Sequence, residues 1–262
     1  MVDYLYFSMY NINMNNTHKI REKIAFVGMC AGAGTTTLAF SAAEYLAARS
    51  KKTGLSVTML ELDPKTSAPA GRAYDKVGID RRFAGRDFIS FYRLASENKP
   101  FIGARNIDGG IGWALRIPGE TGPAPSAATL FRLLNNVHGD TIVCDVPAYS
   151  FFDCAPGRDS LLALLTEMDK VICIFDPLPS RLLASVRAAE ACRALSSSGV
   201  KTHYVFNKLN SGVDLREAVR FTGVRDYIPF PAIPADIIYK AEYACRSIAS
   251  FPEAEKALSF ML

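Results

Sequence analysis

The segment Phe26–Phe40, FVGMCAGAGTTTLAF, constrains the fold more than any other stretch of the chain. An apolar run ends in a turn built from glycine and alanine, and a helical pattern starts immediately after it. A strand, a small-residue turn and a helix in direct succession aim several backbone N–H groups and a helix N-terminus at one point, which suits a phosphate. Ala31, Gly32, Ala33 and Gly34 are small enough for the backbone to approach an anion closely. The same arrangement also serves as a plain strand-to-helix connection, so the remainder of the chain has to decide between the two.

From Lys23 onward short apolar runs alternate with longer amphipathic ones. The expected strands are Lys23–Gly28, Ser56–Leu62, Thr141–Val146, Lys170–Phe175 and Thr202–Phe206. They are rich in Val and Ile with little alternation, as strands buried on both faces of a parallel sheet are. Expected helices cover Thr36–Arg49, Ser126–Asn136, Ser180–Leu195, Ala235–Ala249 and Glu253–Phe260. Strands alternating with helices indicate right-handed βαβ units, hence an α/β fold with a doubly wound, mainly parallel sheet flanked by helices. Residues 1–19 read as a loose N-terminal extension and residues 20–262 as a single domain. The stretch from about 75 to 125, which holds GGIG at Gly109–Gly112 and GETGPAP at Gly119–Pro125, reads as an irregular helical and hairpin insertion.

Composition narrows the function classes. A chain of 262 residues, 49% hydrophobic and 21% charged, buries about 70–75% of its unfolded surface and folds without staples. The six cysteines form no CxxC pair and no cluster with the three histidines, so neither a disulfide framework nor a zinc site is expected. A reducing, cytoplasmic setting follows. The net charge of +4 is too small to announce nucleic acid, and the arginines are scattered. No apolar run approaches the ~20 residues of a spanning helix. The C-terminal Glu253–Leu262 carries a single lysine, a poor match to a basic interfacial helix.

A standard P-loop reads GxxxxGK[ST], its lysine reaching the outer phosphates and its hydroxyl holding magnesium. Here Thr35 follows Gly34, so the lysine is missing. Three further segments nevertheless occur in suitable order. Glu61–Pro69 (ELDPKTSAP) leaves the second strand and carries Asp63. Val143–Tyr149 (VCDVPAY) puts Asp145 at the tip of an apolar strand, where a carboxylate can orient magnesium or its water. Phe206–Asn210 (FNKLN) puts Asn207 just beyond another strand, where an amide can read a purine edge through one donor and one acceptor. Each has a bland alternative as a cap or turn residue. Together they would lie at the carboxyl edge of a parallel sheet, where such folds bind ligands.

On these residues the chain resembles the MinD/ParA group of P-loop proteins over roughly 23–262. The group's loop, KGGxGKT[ST], corresponds here to Cys30, Ala31, Gly32, Ala33, Gly34, Thr35, Thr36 and Thr37. Both lysines of that pattern are absent, since Cys30 and Thr35 stand in their places. The ending GTTT is similar to that of the BcsQ-like subgroup. The resemblance implies ATP or ADP with Mg2+ as ligands, phosphate cradling by Gly32 to Thr37, and a magnesium hydroxyl at Thr36. It implies that Asp63 orients the attacking water, that Asp145 is the switch aspartate and a metal partner, and that Asn207 and the segment around Pro229 flank the base. It further implies a homodimer and a protein partner within a larger assembly.

Without the P-loop lysine, transition-state stabilisation should fall by ~3 kcal/mol, by analogy with a lost oxyanion donor, so binding with slow or absent hydrolysis is expected. Arg72, Arg105, Arg158 and Arg181 are candidates for a substitute charge. The main reading is a nucleotide-dependent localisation, assembly or regulatory factor. Its rivals are a nucleotide-free scaffold and a ParA-like DNA partition ATPase, the latter using Arg216 and Arg220 on one helix.

Overall fold

The computed structural model describes residues 21–62, 72–97, 106–120, 126–149 and 158–262. The expected N-terminal extension and Asp63 lie outside the described residues, as does Arg105. Among the described residues the strands form one eight-stranded sheet. They are β1 Glu22–Gly28, β2 Val57–Glu61, β3 Ile107–Asp108, β4 Ile111–Ala114, β5 Thr141–Val146, β6 Lys170–Phe175, β7 Lys201–Leu209 and β8 Ile228–Pro231. Their order across the sheet is β3-β4-β2-β5-β1-β6-β7-β8, and only the β3–β4 pair is antiparallel. Progression reverses around β1, with β5 and β2 on one side and β6, β7 and β8 on the other. That reversal opens a crevice at the carboxyl ends of the strands.

The helices are α1 Thr35–Ser50, α2 Arg72–Val77, α3 Ile79–Arg82, α4 Phe91–Ser96, α5 Ala127–Asn136, α6 Arg158–Thr166, α7 Pro179–Ser197, α8 Leu215–Thr222, α9 Ala235–Tyr243 and α10 Pro252–Met261. They cover both faces of the sheet, because the central strands are apolar on both. On one face Ile24 and Phe26 of β1, Met59 of β2 and Ile172 of β6 pack with Leu38, Phe40 and Ala42 of α1 and with Leu258 of α10. On the other, Ala25, Val27, Leu60, Cys144 and Phe175 pack with Leu133 of α5, Leu164 of α6 and Ala188 of α7. Each fully buried Leu or Phe contributes about 1.5–3 kcal/mol relative to exposure, so these two layers dominate stability.

Local chemistry explains several element ends. Ser126 accepts a hydrogen bond from the Thr129 N–H and starts α5, and Asp214 does the same for α8 from Arg216 and Glu217. The single helix expected over Ala235–Ala249 is instead α9, a turn at Cys245 with φ 51°, and a short 3-10 helix Ile248–Ser250. Strand β7 runs through Leu209, so Asn207 sits inside its last stretch of pairing and not beyond it. Within the irregular stretch, β4 pairs in parallel with β2 and extends the main sheet, and Trp113 packs its ring edge-on against Phe40.

Candidate functional site

The loop after β1 is shaped from both ends. Gly34 takes φ 92° and ψ 21°, and α1 begins there on a glycine with no side-chain cap. The first-turn amides of α1 are therefore not claimed by a capping oxygen, and no acidic side chain lies in that turn. Two successive loop carbonyls face β7. The Ala33 carbonyl accepts from Asn207 Nδ2 at 2.8 Å, and the Gly32 carbonyl accepts from Lys208 Nζ at 2.6 Å. In a trans peptide the C=O and N–H point opposite ways, so pinning the Ala33 carbonyl turns the Gly34 N–H away from β7 and into the loop. A Cβ on Gly34 would stand 2.5 Å from Asn207 Nδ2, and one on Gly28 would collide with the Thr35 hydroxyl. Either Cβ would displace a side-chain end that lines the loop, and the positive φ of Gly34 favours glycine in addition.

At the head of α1, Thr36 Oγ1 donates to Asp145 Oδ2 at 2.8 Å. Asp145 is fully buried near the end of β5, and Glu61 on β2 lies beside it in register and is equally buried. Glu61 Oε2 accepts from the Arg116 backbone N–H at 3.2 Å, and the Arg116 guanidinium lies over the Tyr92 ring at 5.0 Å. A hydroxyl and a carboxylate in contact at the mouth of the loop are oxygen donors of the kind a hard divalent cation takes.

The two positions that lack lysine differ. Cys30 is 1% exposed and faces inward, toward Ser185 and Asp176. Burial pushes its thiol pKa up, and the Ser185 hydrogen bond opposes that only in part. Thr35 is half-buried, its hydroxyl turned back toward Gly28. Neither residue supplies a cation, and Cys30 lies beneath the surface.

Thr36, Asp145, Gly32, Ala33, Gly34 and Asn207 thus converge on one place, with Thr35 and Thr37 in the same first turn of α1. Asn207 Oδ1 already accepts from the Lys208 N–H at 2.8 Å, so its amide spends one donor and one acceptor on the protein itself. Pro229 lies on the edge strand β8, exposed, opposite Phe206 and one residue short of Asn207 in register. Of the arginines considered as substitutes, Arg181 is exposed near the start of α7 and Arg158 opens α6.

Two residues were missed from sequence. Lys208 touches the loop, and Asp176 at the end of β6 holds its Nζ at 2.7 Å. Both are polar residues at the carboxyl ends of apolar strands, which is the signal that could have found them. Among the described residues no helix is long and apolar enough to cross a membrane.

No family model matches the chain, and no curated protein matches it in sequence. Solved structures do match in shape. A ParA family ATPase from Chlorobium tepidum is similar with a TM-score of 0.65 at 12% identity, over 93% of this chain and 98% of that one. The MinC:MinD cell division complex from Aquifex aeolicus is similar with a TM-score of 0.61 at 16% identity, over 90% and 92%. The septum site-determining protein MinD of Pyrococcus horikoshii, complexed with Mg-ADP, is similar with a TM-score of 0.60 at 16% identity, over 91% and 93%. With its mostly parallel sheet, its glycine loop after the central strand and these likenesses, the chain has the fold of the MinD/ParA-type P-loop ATPases.

Proposed function

We propose that this protein binds ATP or ADP with Mg2+ at the loop after β1, hydrolyses ATP slowly or not at all, and acts as a localisation, assembly or regulatory factor for a protein partner. The observation that carries the reading is the loop itself. Gly34 in a left-handed conformation opens an uncapped helix, while Asn207 and Lys208 hold the two preceding carbonyls outward. Such a cradle presents backbone N–H groups to an anion, and a Cβ at Gly34 would stand 2.5 Å from the Asn207 amide that shapes it.

The residues present fit the ligand. Thr36 and Asp145 would hold Mg2+, directly or through water, and Gly32 to Thr37 would receive the phosphates. Bound Mg2+ would offset the negative charge on the outer phosphate oxygens. Asn207 keeps a second amide N–H for a base edge. Asp63 is proposed to orient water, as the resemblance implies. The neutral side chains of Cys30 and Thr35 remove charge from the outer-phosphate region, which supports slow turnover over binding loss. The structurally similar MinD of Aquifex aeolicus forms a complex with MinC, and that likeness supports a protein partner for this chain as well. A homodimer remains part of the proposal, but one without a cation from position 30.

Equilibrium binding of ATP and ADP to the purified protein, with and without Mg2+, tests this. Micromolar or tighter binding strengthened by Mg2+ is expected. A folded protein that binds neither nucleotide is a scaffold, a reading favoured by the uncharged residues at both lysine positions.

A further inference from the structure

We infer that Lys208 is a positioning residue that latches the phosphate loop from β7, with Asp176 as its anchor, and so sets how long a bound nucleotide stays. The latch is a property of the free protein; its effect on residence time rests on the nucleotide-site reading above.

Four observations carry it. Lys208 has φ 60°, a left-handed conformation that side-chain-bearing residues adopt at a cost unless something holds them there. The pairing of β7 with β8 shifts register between Phe206 and Leu209, so the chain is kinked at this residue. The kinked backbone delivers Nζ to the Gly32 carbonyl at 2.6 Å and to Asp176 Oδ2 at 2.7 Å. Asp176 is itself fixed, with its side chain 3% exposed and Oδ1 accepting from the Leu178 N–H at 3.2 Å.

The arrangement joins three adjacent strands. Asp176 directly follows β6, β7 contributes Asn207 and Lys208, and the loop follows β1. Consecutive residues of β7 hold consecutive loop carbonyls, which fixes the planes of two successive peptides. A loop whose own lysine positions are neutral is then shaped by an ammonium from outside it. Because that ammonium is paired with Asp176, its contribution is to loop geometry more than to net charge at the phosphates. Freeing the Gly32 carbonyl would leave the peptide before Ala33 held only by the Ala33 N–H bond to the Cys30 carbonyl, a long one at 3.3 Å, and would loosen the aim of the amides behind it.

Lys208→Asn is the decisive variant, since asparagine tolerates the left-handed conformation and only the ammonium is lost. Asp176→Asn keeps an acceptor for Leu178 and removes the anchor charge. Lys208→Arg keeps a donor of similar reach. Amide hydrogen exchange of the nucleotide-free proteins should be faster at residues 29–37 by about tenfold in the first two variants, a charge-assisted hydrogen bond's worth, and near wild type in the third. Release of a fluorescent ATP analogue should accelerate by a similar factor with little change in association rate. Unchanged loop exchange in Lys208→Asn overturns the latch, and so does faster exchange spread evenly over the sheet. If the wild-type protein does not bind the analogue, the nucleotide reading falls, and loop exchange alone still decides the latch.

Discussion

Two cations organise polar clusters in this molecule, and they do so in opposite ways. Arg82 is 6% exposed and joins α3 to distant parts of the chain through Glu44 at 3.1 Å, Asp108 at 3.2 Å, the Val77 carbonyl at 2.8 Å and the Cys245 carbonyl. Its guanidinium also lies over Phe40 at 5.4 Å and Trp113 at 4.9 Å. Lys208 is 46% exposed and makes two contacts, one to the Gly32 carbonyl of the phosphate loop and one to Asp176. Each cluster includes a non-glycine residue with positive φ, Cys245 in the first and Lys208 in the second. In the Arg82 cluster the unusual turn frees a carbonyl to satisfy a buried guanidinium. In the Lys208 cluster it aims a side chain at a ligand cradle. Buried and fully satisfied points to stability, whereas half-exposed and bonded to a carbonyl of a ligand cradle points to binding.

That division is broken most severely at Gly34, which belongs to the Lys208 side. Gly34→Val puts a branched side chain at φ 92° and a Cβ 2.5 Å from Asn207 Nδ2. The Asn207–Ala33 hydrogen bond and the aligned amides of the α1 start should be lost together. Three charge-assisted contacts at ~1.5 kcal/mol each amount to about a thousandfold, so ATP binding should vanish from a titration calorimeter. Circular dichroism must show a folded variant, and retained affinity in it would remove the cradle.

On the other side, Arg82→Ala leaves Glu44 and Asp108 without their buried partner and empties the space between two aromatic rings. Removing one member of a buried pair costs about 3–5 kcal/mol, which lowers Tm by about 6–20 °C in a domain of this size. Nucleotide affinity measured well below the new Tm should stay within about twofold of wild type, far inside the tenfold that 1.4 kcal/mol represents. A large loss of affinity with an unchanged Tm would dissolve the distinction between the clusters.

The same contrast shows what could be read from sequence. The strands were legible because Ile24, Val143 and Ile172 belong to runs buried on both faces, and the sheet follows from that burial. The positions of Gly34, Thr36 and Asp145 were legible because each sits at or beside a strand or helix end, which sequence order alone specifies, whereas Asn207 was expected just beyond a strand and lies inside β7. Lys208 and Asp176 were not legible, since their contact depends on β6 and β7 being neighbours and on one kinked backbone angle. A hairpin was expected in the irregular stretch, but that β4 joins the main sheet escaped for a related reason. Strands β3 and β4 are two and four residues long, set among glycines, and β4 is held by pairing with β2 some fifty residues earlier. The Arg82 cluster escaped as well, because it gathers residues from α1, α2, α3, β3, β4 and the turn at Cys245.

Thr35→Lys sharpens the comparison from the loop's own sequence. A lysine there would add charge to the outer-phosphate region that Lys208, paired with Asp176, does not supply. One well-placed charge-assisted bond is worth about 1.5–3 kcal/mol, so ATP affinity should rise tenfold to a hundredfold while hydrolysis rises less. The Thr35 hydroxyl packs toward Gly28, and the longer side chain must pass that point, so the gain depends on the loop holding its shape. Titration of ATP into both proteins measures it. No gain would mean that the loop does not hold phosphate, and the scaffold reading would then be preferred.

The smallest effect is expected where the backbone looks most alike. Cys245→Gly and Lys208→Gly both place glycine at a positive φ, near 51° and 60°. Relief of the left-handed strain is worth about 1–2 kcal/mol, and the greater freedom of glycine in the unfolded chain takes back about 0.5–1 kcal/mol. Cys245→Gly also loses a half-buried thiol packed against Gly78, so its net change should be within about 1 kcal/mol, or 2–4 °C in Tm. The Cys245 carbonyl still reaches Arg82, because a backbone group makes that contact, and nucleotide binding should not change. Lys208→Gly also leaves the buried Asp176 carboxylate without its ammonium, so its Tm should fall further than that of Cys245→Gly, and it should release nucleotide faster, since there the side chain makes the contact. Thermal unfolding and release kinetics on the two glycine variants separate strain that shapes the fold from strain that shapes the site. Equal release rates in the two would place Lys208 with Cys245, as a turn residue and nothing more.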